Sequence, residues 1–211
     1  MRKLLTEFIG TFFLVLTIGL TVTAGAQFTP IAIGTALMIM VYMGGHVSGA
    51  HYNPAVSLAA TIRGALPAGD FFPYVVSQIA GATVAAVAVS QITGQTFAPA
   101  PSANASNLAV LLVETLYTFA LALVVLNTAT SKKTEGNSYY GLAIGMTVMV
   151  AAVAGGGISG GAFNPAVGIG PTLINATMGG GSWGALWFYI VGPFAGAALA
   201  AVVFKIQDTE A

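Results

Sequence analysis

Two short motifs carry the residues of this chain whose types and spacing suggest chemistry. They are Asn53, Pro54 and Ala55, and again Asn164, Pro165 and Ala166, each followed by Val. Asn is a preferred N-cap and Pro a preferred first helical residue, so each motif predicts a helix start. Helix N-termini carry about +0.5 charge. Two such ends facing each other would hydrogen-bond the oxygen of a neutral molecule and repel cations and H3O+.

The apolar segments that begin with these motifs, 53–62 and 164–175, are too short to cross a bilayer. A ten-residue helix is about 15 Å long, half the hydrocarbon thickness. We expect both to enter the membrane and meet at its centre, with the NH2 group of each capping Asn left free. The preceding stretches, 48–52 and 159–163, would present backbone carbonyls, which is tolerated at that depth only beside a cavity or protein. His51 and Gly160 are candidates for lining it.

Composition places the chain in lipid. Of 211 residues, 56% are hydrophobic and 6% are charged, whereas soluble domains average about a quarter charged residues. The net charge is zero, so nothing favours binding to nucleic acid, and the absence of cysteine excludes disulfides and thiol chemistry. The opening residues 1–26 resemble a signal peptide, but their apolar run is too long and contains Glu7, so we interpret them as a first membrane helix.

Six apolar runs are long enough to span a bilayer. They cover about 4–25, 29–48, 71–93, 107–129, 139–157 and 183–205. Turn-like segments separate them. The sequence predicts an all-α membrane protein with six transmembrane helices and two re-entrant half-helices.

The basic residues set the orientation. They are Arg2, Lys3, Arg63, Lys132, Lys133 and Lys205. With six spans, all of them fall on one side, which the positive-inside rule makes cytoplasmic. We therefore expect an integral multi-pass protein of the cell (plasma) membrane with both termini in the cytoplasm.

The chain repeats itself. "GGHVSGAHYNPAV" from residue 44 matches "GGGISGGAFNPAV" from residue 155, and "TEFIGTFFLVL" from residue 6 matches "VETLYTFALAL" from residue 113. Each copy has three spans, so the second must enter the membrane from the opposite side, as in an inverted repeat. We expect one membrane domain over 1–211, with repeats at about 1–93 and 107–205.

Few ionisable side chains lie in the spans. Glu7 and Glu114 occupy matching positions, and a buried carboxylate there could relay protons or bond the backbone N–H groups of a re-entrant loop. We favour the second role. His46 and His51 flank the first motif, but the sequence supplies too few further ligands for a metal site. A pH gate through His51 stays open as an alternative.

Along nearly its whole length, the chain resembles the aquaporin and glycerol-channel family, the major intrinsic proteins. The resemblance lies in the two Asn-Pro-Ala motifs and in Glu7 and Glu114, one in the first helix of each repeat. It implies a passive pore in each subunit, usually within a homotetramer, that passes water or small uncharged solutes and needs no cofactor or metal. It also assigns the two Glu residues to loop support.

The resemblance further implies a selectivity filter. By the family's spacing, the four filter positions are Ile33, Ala152, Gly161 and Val167. Most members have Arg at the last position and water-selective members have His at the second, so this chain fits neither the water nor the glycerol subtype. In carrying Val, it is closer to plant vacuolar-membrane and bacterial members. Val supplies neither the charge nor the donors of Arg.

We therefore expect a wide, apolar filter that favours ammonia, urea, hydrogen peroxide, glycerol or neutral metalloid acids. Two alternatives compete with a passive channel. A coupled secondary transporter also has inverted repeats and broken helices, but it needs an ion site facing the cavity. An intramembrane enzyme would need a nucleophile or metal constellation that the sequence does not offer, and we expect no enzyme.

Overall fold

The computed structural model describes residues 1–208, and the last three residues of the expected 1–211 domain lie outside that range. The described chain folds into eight α-helices and has no β-strand. In order, they are α1 (Arg2–Thr23), α2 (Thr29–Ser48), α3 (Pro54–Arg63), α4 (Ala68–Thr93), α5 (Asn107–Val125), α6 (Tyr140–Ser159), α7 (Pro165–Met178) and α8 (Phe188–Gln207).

Six of these helices are long and apolar enough to cross a membrane, which confirms the predicted fold class. One predicted span needs correction. The last helix begins at Phe188 rather than 183, because the glycine-rich segment after α7 continues as turns through Trp187. The fourth span leaves α geometry at its end, where Leu126–Thr130 forms a π-helix and Lys132–Thr134 a 3-10 turn.

Helices α3 and α7 are the two half-helices, and their N-termini follow from local chemistry. Pro54 and Pro165 occupy the first turn, where a missing N–H costs nothing. Asn53 and Asn164 cap them in extended conformation. At the other end of α3, Gly64 adopts a left-handed conformation (φ 91°) that favours glycine and stops the helix.

The helices pack symmetrically. We call residues 1–93 the first half and 107–205 the second half. Within the halves, α1 packs against α4 and α5 against α8, while each half-helix contacts mainly the last long helix of the other half, α3 on α8 and α7 on α4. Glycines permit the close crossings: a Cβ on Gly81 would meet the carbonyl oxygen of Phe8, and one on Gly192 would lie 2.7 Å from Cβ of Glu114.

The outer surface of the six long helices is apolar. Large exposed side chains include one from each: Phe13, Ile39, Val76, Leu116, Val153 and Leu199. A surface of this kind is stable against lipid tails rather than water. The protein is therefore an integral membrane protein.

Candidate functional site

The two half-helices meet tip to tip. Asn53 Oδ1 accepts a hydrogen bond from Ala55 N at 2.8 Å, and Asn53 Nδ2 donates to the carbonyl of Phe163 at 2.9 Å. In the second half, Asn164 Oδ1 accepts from the N–H of Ala166 at 2.9 Å and Nδ2 donates to the carbonyl of Tyr52 at 2.9 Å. Each Asn thus caps its own helix and holds the loop of the other half.

This geometry corrects one expectation. The NH2 group of each capping Asn is not wholly free, because one of its two N–H groups bonds the opposite loop. One N–H of Asn53 and one of Asn164 remain at the junction, and both residues line the central cavity. The junction offers two donors rather than four, held at fixed positions beside two helix N-termini.

The loops before the half-helices present a row of carbonyls. Ala50, Tyr52 and Phe163 have φ near 50°, a left-handed conformation that non-glycine residues rarely adopt. Tyr74 and Tyr189 donate their hydroxyls to the carbonyls of Ser48 and Ser159 at the loop starts. Within residues 1–208, the carbonyls of 49–51 and 160–162 accept no hydrogen bond. They are left for a solute or water.

Glu7 and Glu114 lie behind these loops and are fully buried. Glu114 accepts from the hydroxyl of Ser159 and from the N–H groups of Ala162 and Phe163, at 2.7–3.1 Å. Glu7 accepts four hydrogen bonds, which come from the Ser48 hydroxyl, the N–H groups of His51 and Tyr52, and the side chain of Gln78. Neither carboxylate lines the cavity.

A cavity of about 260 Å³ runs past the two Asn residues. It brings together all four positions expected to form the filter, Ile33, Ala152, Gly161 and Val167, and also the two lining candidates, His51 and Gly160. No Asp, Glu, Lys or Arg of the described chain lines it. The lining residues with polar side chains are therefore Thr29, His51, Tyr52, Asn53 and Asn164, and the backbone of the two loops adds further polar groups.

The linker between the halves also lines the cavity, through Phe97, Ala98 and Pro99. Sequence reasoning treated 94–106 as a simple turn-like break and missed this. Phe97 is buried in a space left by Gly19, and the backbone of Ala100 lies where a Cβ of Gly160 would be. Gly160 thus makes room for the linker. A lone aromatic in a segment of small and polar residues was the available signal.

A second cavity of about 500 Å³ lies beside the end of α2. Its lining includes Gly45, Gly49 and Tyr140 together with most of the segment 128–137 that follows α5. His46 is exposed on α2. Among residues 1–208, no group of three or more His, Cys, Asp or Glu side chains could hold a metal ion.

Known proteins with similar sequences span the whole of this architecture. The chain is 38% identical to aquaporin NIP1-4 of Oryza sativa subsp. japonica over 98% of its own length and 77% of that protein. It is 35% identical to glycerol uptake facilitator protein-like 6 of Lactiplantibacillus plantarum over 100% of both chains.

The fold is also that of a solved structure, the aquaglyceroporin from Plasmodium falciparum. The two superpose with a TM-score of 0.85, covering 97% of this chain and 95% of the other, at 21% sequence identity. Residues 1–204 match the description of the major intrinsic protein family. The chain therefore belongs to the major intrinsic protein family, whose members are passive channels and not enzymes.

Proposed function

We propose that this protein is a passive pore for small uncharged solutes that are larger or less polar than water. Ammonia, urea, hydrogen peroxide, glycerol and undissociated metalloid acids fit this description. The observation that carries the proposal is the cavity wall at the expected filter, where Ile33, Ala152, Gly161 and Val167 supply no charge and no side-chain donor. Water fits the same conduit, but an apolar constriction is not its best path because such rings dewet.

Small side chains at the four filter positions would leave the constriction wide. Val167 stands where an Arg would extend a long charged side chain across the lumen, and Gly161 and Ala152 add little bulk. Cation exclusion then depends on the two half-helix N-termini and the Asn53 and Asn164 amides. Because that barrier acts on charge and not on size, neutral solutes escape it.

The placement of the two buried carboxylates argues against a coupled transporter. A coupling ion needs a carboxylate that faces the cavity. Glu7 and Glu114 instead face the loop amides, with every carboxylate oxygen accepting at least one hydrogen bond. We assign both residues to loop support.

We also propose the expected orientation, with both termini cytoplasmic in the plasma membrane. Arg63 at the end of α3 bonds Thr130, and Lys133 pairs with Asp208 at 3.4 Å. Basic residues thus gather at one end of the bundle, as the positive-inside rule requires. From the family resemblance, we propose a homotetramer in the lipid bilayer with one pore per subunit, built from the repeats 1–93 and 107–205.

Stopped-flow flux in proteoliposomes tests the proposed filter. Wild type should conduct urea and glycerol, and Val167→Arg should reduce both by about tenfold or more, because a charged side chain would fill the lumen. Val167→Met adds bulk without charge and is the matched control, with a smaller loss expected. The proposal fails if Val167→Arg conducts these solutes as well as wild type.

An imposed proton gradient separates the channel from the transporter. A channel reaches the same solute equilibrium with and without the gradient, whereas concentrative uptake of urea or glycerol would establish coupled transport instead.

A further inference from the structure

The His51 ring is fixed on several sides. Its backbone N–H donates to Glu7 at 3.0 Å, its ring packs against Tyr74 with centroids 5.3 Å apart, and Nδ1 lies 3.0 Å from the Ser57 hydroxyl oxygen. His51 is also one of the residues that line the central cavity. Which ring nitrogen carries the proton decides what His51 offers to a solute, and the surrounding hydrogen bonds determine this.

The direction of these bonds is set at Glu7. A carboxylate only accepts hydrogen bonds, so the group of Gln78 that lies 2.8 Å from Oε2 must be the NH2 and not the carbonyl. The same Nε2 lies 3.0 Å from Ser57 Oγ. Gln78 therefore donates one hydrogen to Glu7 and its second to Ser57. The Gln78 Oε1 is left buried without a partner within the described chain. The amide therefore satisfies Glu7 and Ser57 at the expense of its own oxygen.

Ser57 passes this direction on to His51. Its oxygen accepts from Gln78, and its own hydrogen needs an acceptor because the side chain is fully buried. Within the described chain, the remaining partner of Oγ is His51 Nδ1. Nδ1 is therefore the acceptor, and the ring proton of neutral His51 resides on Nε2.

The Nε2–H group belongs to a residue of the cavity lining and is accessible. It has no partner in the described chain, yet the buried unpaired side-chain atoms there are Gln78 Oε1 and Thr118 Oγ1, so Nε2 is accessible. Gly49 leaves space beside it, since a Cβ there would lie 3.1 Å from Nε2. We infer that Gln78 and Ser57 are positioning residues that hold His51 as its Nε2–H tautomer. This tautomer gives the pore a third fixed side-chain donor beside the two Asn amides.

The second half has no such arrangement. The residues at the matching positions are Ala162, Gly168 and Tyr189, and a Cβ on Gly168 would lie 2.5 Å from Cβ of Tyr189. The extra donor therefore exists only on the α3 side of the Asn pair. If the protein conducts as proposed above, a solute with an acceptor oxygen can pass from the Asn amides to His51 without losing its hydrogen bond.

Nitrogen NMR tests the tautomer without any transport measurement. The chain has two histidines, so His46→Gln leaves one, and the protein labelled with ¹⁵N-histidine is reconstituted in lipid bilayers at pH 7.5. We expect one protonated nitrogen bonded to Cδ2, which identifies Nε2, and one unprotonated nitrogen. A proton on Nδ1 or on both nitrogens would overturn the inference.

Variants then test the positioning residues. Ser57→Ala should move the Nδ1 resonance towards that of an unbonded nitrogen and lower urea flux about threefold, since one neutral hydrogen bond is lost. Ser57→Thr keeps the hydroxyl and should restore both, and Gln78→Met should disturb Nδ1 if Ser57→Ala does not fold. An Nδ1 resonance unmoved in the folded variant contradicts the inference, and an unchanged flux removes its role in conduction. If wild type itself does not conduct urea, the proposed function is refuted, but the tautomer result still stands.

Discussion

The two halves agree where the backbone needs support and differ in the side chains that line the cavity or lie behind its wall. Each half has a capping Asn, a buried Glu, a left-handed residue before the cap and a Tyr hydroxyl on the carbonyl that begins the loop. The two Tyr residues that donate these bonds do not match in the repeat. The residue that matches Tyr189 is Gln78, one helical turn after Tyr74.

The residues that differ lie around the conduit. The first half has His51, Ser57 and Gln78, whereas the second has apolar residues or glycine at the loop and half-helix positions. The linker brings Phe97 to the wall beside Gly19, and it has no repeated counterpart because it joins the two halves. Buried backbone polar groups must be satisfied in either half, so the residues that bond them are repeated. The residues of the cavity wall can differ between the halves.

The largest effect should come from the buried carboxylates, which are the strongest point of agreement. We expect Glu7→Gln to lower the free energy of unfolding by about 4 kcal/mol and Glu114→Gln by about 3 kcal/mol. An amide has only one acceptor oxygen, so some donors that now bond the charged carboxylate would lose their partner. Glu7 should lose more since it has four donors to Glu114's three.

Unfolding in mixed SDS and detergent micelles, followed by circular dichroism, measures both variants. Glu135→Gln is the matched control, because Glu135 is exposed in the segment after α5 and its loss should be within about 0.5 kcal/mol of wild type. Two Glu variants no less stable than this control would remove loop support as the role of the repeated carboxylates.

Much of the fold followed from the sequence because its signals are local. Apolar run length gave the spans, and Asn followed by Pro gave the half-helix starts, each correct to within a few residues. The cross-bonding of Asn53 to the carbonyl of Phe163 was not predictable, since it depends on how the halves dock. The contact of the linker with the cavity was not predictable either, for the same reason. Sequence reasoning also overlooked Gln78, although an amide in an apolar span needs a polar partner.

A loss of stability no larger than that of Glu114→Gln should follow from a change in the linker, the segment without a counterpart inside the repeats. Phe97→Ala removes a ring packed against Gly19 and Val89, so we expect about 3 kcal/mol less stability and a faster flux of glycerol relative to urea, because the wall widens. Phe72→Ala, which removes a lipid-exposed ring from α4, is the control for both measurements. An unchanged ratio of glycerol to urea flux in Phe97→Ala would show that the linker does not shape the conduit.

The smallest effect concerns the residue just before each capping Asn. Tyr52 and Phe163 match, but the Tyr52 hydroxyl donates to the carbonyl of Met40 at 2.9 Å, in space that Gly10 and Gly44 leave open. Tyr52→Phe should therefore cost about 1 kcal/mol, the typical value of one hydrogen bond. In the second half, Tyr117 occupies the position that matches Gly10 and packs edge-on against Phe163.

The reciprocal change completes the comparison. Phe163→Tyr should cost more than Tyr52→Phe, about 2 kcal/mol, because the second half provides a ring where the first provides a cavity and an acceptor, and a buried hydroxyl would lose its hydration. Unfolding of both variants under the conditions used for the Glu pair measures the difference. Equal losses would mean that the two loops are interchangeable and that the glycines beside Tyr52 serve helix packing alone.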